Sequence, residues 1–248
     1  MKIIAALLQM LEQIESEKYK EILRNQINSA TPRLTLNPRD DTNESRMILN
    51  AMFALCLGVA EKLYGDGGDT KFHKIPIFLP QPNSQIMPLN DKKGTVVIAI
   101  GTCAFSWEEV FYDICHESLH MLNPVVNVHN SNVNVSALEE GVAVKFAEHL
   151  YEKYVKIYCN KIPATSPVNA FHTQYFQAYS AANKIPDVKL KEVRKEFERF
   201  SKLDNAEKFK NLVGDYLSEG DTEILLEPFR YPPRSSVSSS PPSFTNIA

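Results

Sequence analysis

Apolar residues recur at helical spacing from the start of the chain. Ile4, Leu7, Leu8, Leu11 and Ile14 keep one face apolar, while Glu12, Glu15, Glu17, Lys18, Lys20 and Glu21 build the other. The pattern predicts one amphipathic helix running to about Asn28. Its apolar beginning resembles a secretory leader, but no small-residue cleavage site follows and the helical face continues past it. Thr31 to Thr42, with Pro32 and Pro38, reads as a polar loop. A second helix is predicted from Asn43 to Tyr64, ending at the turn Gly65-Asp66-Gly67-Gly68-Asp69. That turn lacks the ligand spacing and closing glutamate of an EF-hand loop, so it reads as solvated.

Period-two and continuous apolar runs follow. Ile75–Leu79 reads as a strand, then a connection through Pro80, Pro82 and Pro88 leads to the best strand in the chain, Gly94–Gly101. Trp107 to Leu122 is apolar or small over most of its surface and reads as a buried helix. Ser106 is its predicted N-cap, Glu108 and Glu109 suit its first turn, and Pro124 stops it. The asparagine-rich stretch from Val125 to Asn134 reads as a loop or short hairpin. A helix from Ser136 to about Tyr158 comes next, and then helices over Val168–Asn183, Asp187–Leu203 (with Asp187 as N-cap) and Ala206–Leu217. From Arg230 the chain becomes a Ser/Pro tail that should not pack. The expectation is an α+β fold, predominantly helical, with a small sheet preceding the Trp107 helix. Residues 1–64 form an N-terminal helical region, 65–158 a core, 159–229 a helical lobe and 230–248 a disordered tail.

Composition narrows the function. The 248 residues carry a formal net charge of −3 and no basic stripe, which argues against nucleic-acid binding. No stretch reads as long and apolar enough to span a membrane. The four cysteines, Cys56, Cys103, Cys115 and Cys159, form no Cys-x-x-Cys pair and read as free thiols of a reducing, cytoplasmic compartment. Cys115 adjoins His116, but neighbours on a helix face apart, so it reads as core rather than ligand.

The chemistry lies in His116-Glu117-Ser118-Leu119-His120. Four residues turn a helix by about 400° and advance it about 6 Å, so both imidazoles project from one face, one turn apart. That placement suits two ligands of one metal ion. Glu117 lies about 100° round the axis, placed to reach water beside the metal rather than the metal itself. A metzincin would carry glycine and a third histidine soon after His120, where this chain has Asn123 and Val126. Further on stands Glu139-Glu140-Gly141-Val142-Ala143.

Together the two motifs resemble the gluzincin metallopeptidases over about Thr95 to His149. The resemblance implies a zincin-like fold with zinc held by His116, His120 and Glu140, and Glu117 as general base. Glu139 is the rival third ligand; alternatively both glutamates are a solvated first turn favoured by the helix dipole. Gly141 would let the two metal helices approach closely. Where thermolysin-like members have an aspartate behind a ligand histidine, this chain has Val144, so that support falls to Asp113, Glu139 or a backbone carbonyl. The Gly-Ala-Met-Glu-Asn element of one aminopeptidase family is absent, leaving exopeptidase activity unsupported. Zincins bind extended peptide on an edge strand, here the 94–101 strand or a neighbour, although its near-continuous apolar run equally fits a central buried strand. A transition-state donor would come from His172, Tyr175 or Tyr179, which otherwise form an aromatic core face. His129 is a loop histidine, either solvated or touching substrate. The expected function is a zinc metalloendopeptidase acting on a peptide or protein substrate. The alternative is a non-catalytic metal-binding regulatory or interaction protein on the same scaffold.

Overall fold

In the computed structural model, which describes residues 2–89, 94–124, 135–169 and 173–231, the first apolar stripe forms two helices rather than one. α1 (Lys2–Met10) runs into a 3-10 turn at Leu11–Gln13, and α2 (Glu17–Ala30) starts afresh. Ser16 causes the restart: its hydroxyl accepts the Tyr19 N–H, a capping bond available only if the backbone leaves the helix at that residue. Leu11 and Ile14 stay against the core across the break, so the periodicity persists while the helix does not.

α3 (Asn43–Tyr64) has the predicted bounds, with Thr42 capping it through the Ser45 N–H. Its length and composition suffice to cross a bilayer, which corrects the expectation that no stretch does. However, 61% of its most apolar window is buried inside the fold, as befits a helix with protein on most sides.

The sheet consists of β1 (Lys71–Phe72), β2 (Ile77–Phe78), β3 (Gln85–Pro88) and β4 (Thr95–Ile100). β4 is its hub, parallel to β1 and β2 and antiparallel to β3. Val96 is in register with both Phe72 and Pro88, and Ala99 with both Ile77 and Gln85, so both edges of β4 are occupied. All six β4 residues are buried, which explains the unbroken apolar run. β4 is thus a central strand, and the half-buried β3 is an outer one.

α4 (Trp107–His120) begins in a capping box. Ser106 accepts the Glu109 N–H, and Glu109 accepts the Ser106 N–H at 3.1 Å. α5 (Ala137–Leu150) is capped by Ser136 and continues through a π-helical turn, Tyr151–Lys156, into α6 (Ile157–Cys159). α7 (Gln174–Ala182), α8 (Asp187–Phe197), α9 (Ala206–Val213) and α10 (Glu219–Leu226) follow. α7 starts later than the periodicity predicts, because Thr173 caps it. Asp187 is not a cap. Pro186 holds that position, and the Asp187 carboxylate instead accepts the Tyr64 hydroxyl at 3.0 Å and pairs with Lys145 at 3.0 Å. α10 went unpredicted; the Ser218/Asp221 capping box starts it. One contiguous hydrophobic core takes residues from Ile3 to Leu225. His129, His172, the 125–134 loop and the tail from Pro232 onward lie outside the described residues.

Arg194 ties three parts of the fold together. Its buried guanidinium donates to the carbonyls of Tyr64, Gly65, Asp66 and Leu122 and to Asn123 Oδ1, and so serves the C-terminal ends of both α3 and α4. Removing it strands several acceptors. Arg194→Leu should cost about 2–4 kcal/mol in urea unfolding, and Arg194→Lys should recover little, since one ammonium cannot serve a planar set of acceptors.

Asp221 accepts from Lys184 and from Ser218, and Lys184 in particular holds its carboxyl below the usual range. A depressed carboxylate contributes stability above its unfolded pKa of about 3.9, and that contribution is lost as pH falls through the lower folded value. Asp221→Ala should therefore destabilise by about 1 kcal/mol at neutral pH. Unfolding curves of the two proteins should converge at acid pH, below the folded pKa.

Candidate metal centre

One helical turn of α4 stacks His116 over His120, with ring centroids 5.0 Å apart and Nε2 atoms 3.2 Å apart. α5 packs across them. Because Ser136 starts α5 where it does, Glu139 and Glu140 fall in its first turn, facing the histidines. Glu140 Oε2 lies 3.3 Å from His116 Nε2, and Oε1 lies 3.6 Å from His120 Nε2. Four ligands at tetrahedral angles, each about 2.0–2.1 Å from zinc, stand about 3.3 Å from one another. His116 Nε2 stands 3.2 Å from His120 Nε2 and 3.3 Å from Glu140 Oε2, both close to that value, while the other carboxylate oxygen, Oε1, is the one 3.6 Å from His120 Nε2. Glu140 Oε2 is buried with no hydrogen-bond partner, an expensive state for a carboxylate oxygen unless a cation sits before it. His116, His120 and Glu140 form a group that could hold a metal ion.

Glu139 and Glu140 take different tasks. His120 Nδ1 stands 3.0 Å from Glu139 Oε1, so with its proton on Nδ1 it donates there and leaves the Nε2 lone pair facing the centre. Glu139 is therefore the outer partner of a candidate ligand histidine, the support that Val144 cannot give, and Glu140 faces the candidate ion position. Asp113, the other candidate support, is buried and hydrogen-bonded by the Ser84 hydroxyl, with its charge felt at His116.

Charge is concentrated here and shielded from water. Burial opposes charge on His120, but Glu140 and Glu139 outweigh it and lift its pKa well above the ordinary 6.5. Burial likewise opposes ionisation of Glu140, yet His120 and His116 hold that carboxyl far below the usual range. The Glu117 carboxyl is pushed up by burial, partly offset by the two histidines and reinforced by Glu140 and Asp113. A shift of that origin makes the Glu117 carboxyl a readier proton acceptor than an exposed glutamate.

Two expectations are corrected. Gly141 does not set the approach of α4 to α5: a Cβ there would stand 2.4 Å from the Ala178 carbonyl oxygen, so the close approach it permits is between α5 and α7. Gly141 is displaced about 100° from Glu140 and so faces another neighbour. The first two residues of the expected tail, Arg230 and Tyr231, are also held against the fold. Pro228 bridges antiparallel to Ser136, Phe229 N–H donates to the Val135 carbonyl at 2.7 Å, and Arg230 N–H donates to Gln174 Oε1 at 2.8 Å. Tyr231 then donates its hydroxyl to Glu140 Oε1 at 2.6 Å. Of the three candidate donors, Tyr175 stands beside the site, its ring 6.4 Å from that of His116 and 4.5 Å from Phe229. Tyr179 packs near Phe176 instead.

Tyr231 is the site residue that periodicity missed, because the Ser/Pro composition after it masked a short signal. Phe229 and Tyr231 alternate at strand spacing beside Pro228, a pattern of extended, anchored chain. Comparison with protein-family models, curated proteins and solved structures returned no match.

The Gly141 contact can be tested. Gly141→Ala should cost about 1–3 kcal/mol through overpacking against the Ala178 backbone. A thermal midpoint equal to wild type would show that α5 and α7 are not held at this distance.

Proposed function

We propose that this chain is a zinc-dependent peptide-bond hydrolase, a metalloendopeptidase of zincin-like, gluzincin-type architecture. The observation that carries the reading is the convergence of two imidazole nitrogens and a buried carboxylate within 4.8 Å of one another, with one carboxylate oxygen left without a hydrogen-bond partner. Both histidines come from one helical face and the carboxylate from the neighbouring helix, with Glu139 fixing one ring. Zinc held by His116, His120 and Glu140 would supply Lewis acidity, making water nucleophilic near neutral pH and polarising a carbonyl. Glu117 accepts the proton of the attacking water and passes it to the leaving amide nitrogen. Tyr175, beside His116, is the candidate donor for the oxyanion that develops on the scissile carbonyl, standing closer to the site than Tyr179 does. The outer strand β3 offers a backbone edge along which an extended peptide can pair.

A second reading, a metal clamp without hydrolysis, draws on the depth of the centre: the ligand side chains are only 16%, 13% and 2% exposed for His116, His120 and Glu140. Buried Glu117, with its raised pKa and no place among the three ligands, favours the hydrolase.

The two roles separate by mutation. Glu117→Gln should retain one zinc per chain and lose peptide hydrolysis by about 10²–10⁴-fold, the contribution typical of a general base. His120→Ala and Glu140→Ala should lose the zinc itself. Metal content measured alongside a peptide-library digest decides between the readings: zinc bound without cleavage by wild type selects the clamp. Wild-type turnover in Glu117→Gln would refute the mechanism.

A further inference from the structure

The C-terminal segment after α10 reaches into the centre. Glu227 C=O accepts the Ala137 N–H at 2.9 Å, and Phe229 N–H donates back to Val135, so the segment lies antiparallel along the residues that lead into α5. Gln174 on α7 grips it from the other side, accepting the Arg230 N–H at 2.8 Å and donating to the Pro228 carbonyl at 3.4 Å. Phe229 is buried against Tyr175 and meets the Tyr231 ring edge-on at 5.2 Å. These contacts come from the entry of α5 and from α7 and converge on one result, the Tyr231 hydroxyl at 2.6 Å from Glu140 Oε1.

The two oxygens of Glu140 are thereby made unequal. Oε1 carries a short hydrogen bond from a phenol, while Oε2 is buried with no partner and lies 3.3 Å from His116 Nε2. A carboxylate whose oxygens are both free can bind an ion through one or both, and the choice sets how many positions remain for water and substrate. We infer that Tyr231 is a positioning residue for the metal centre. Its hydroxyl engages Glu140 Oε1, presents Oε2 as the single carboxylate ligand, and keeps a coordination position open. This rests on the metal-centre reading above and adds to it a dependence on the C-terminal strap. A ligating carboxylate held by an outer hydrogen bond is a general device, and losing such a partner typically weakens metal binding about 10–100-fold.

The test uses the full chain, zinc chloride or cobalt chloride as the only added metal, and Tyr231→Phe, which removes the hydroxyl and keeps the ring on Phe229. Zinc affinity is measured by competition with a chromogenic chelator. The expected result is about tenfold or greater weakening in Tyr231→Phe with an unchanged unfolding midpoint before metal is added. The second readout is the visible spectrum of the cobalt-loaded proteins. If the freed Oε1 joins the metal, the coordination number rises and the d–d absorption weakens relative to wild type, a change that loss of packing alone would not produce. Gln174→Ala, which loosens the strap without touching the centre, should shift both readouts in the same direction by less. Zinc affinity within twofold of wild type together with an unaltered cobalt spectrum in Tyr231→Phe overturns the inference and leaves the metal centre standing. A wild-type chain that takes up no zinc overturns both.

Discussion

Two imidazole nitrogens and a carboxylate oxygen held about 3 Å apart and away from water form an arrangement that could hold a cation and that stands only with rigid walls around it. The surrounding structure supplies the walls. α4 fixes the imidazoles through its own pitch, and its start is pinned by the Ser106/Glu109 capping box. α5 fixes the carboxylate, and its start is pinned by Ser136, whose hydroxyl accepts the Glu139 N–H and donates to the Phe200 carbonyl. The centre is therefore only as accurate as two helix N-termini, each held by a serine.

Beyond these caps, longer contacts keep the two helices in place. Arg194 binds the C-terminal end of α4 to the end of α3 and so holds the helix of His116 and His120 from its far end. The approach of α5 to α7 at Gly141 and Ala178 sets the opposite wall and carries Tyr175 and Gln174 to the site. On the sheet side, Ser84 joins the start of β3 to α4, donating to Asp113 and accepting the Gly101 N–H. Secondary structure, capping and packing thus act on the same few atoms.

Much of this was legible beforehand where one local rule acted alone. The bounds of α3, the cap of α4 and the place of the two histidines follow from spacing and capping chemistry within a few residues. Reading failed where two local rules competed. At Ser16 a capping bond won over an unbroken apolar stripe, and at Asp187 a distant lysine and tyrosine claimed a side chain that local chemistry would make a cap. Gly141 points to a close helix approach, but a glycine announces such an approach without naming the partner, which is α7 rather than α4.

The amino-acid order alone determined that this chain has an α+β fold dominated by helices, and that His116, His120 and a glutamate near position 140 are candidates for one ion. These follow from periodicities that need no partner. Tertiary structure decided which glutamate faces the histidines and which supports them, that β4 is central rather than an edge, and that Tyr231 belongs to the site. Each of these depends on where segments distant in sequence meet, 91 residues apart for Tyr231 and Glu140. A local pattern carries no information about such meetings, because the contact energy arises only once the chain has folded back on itself.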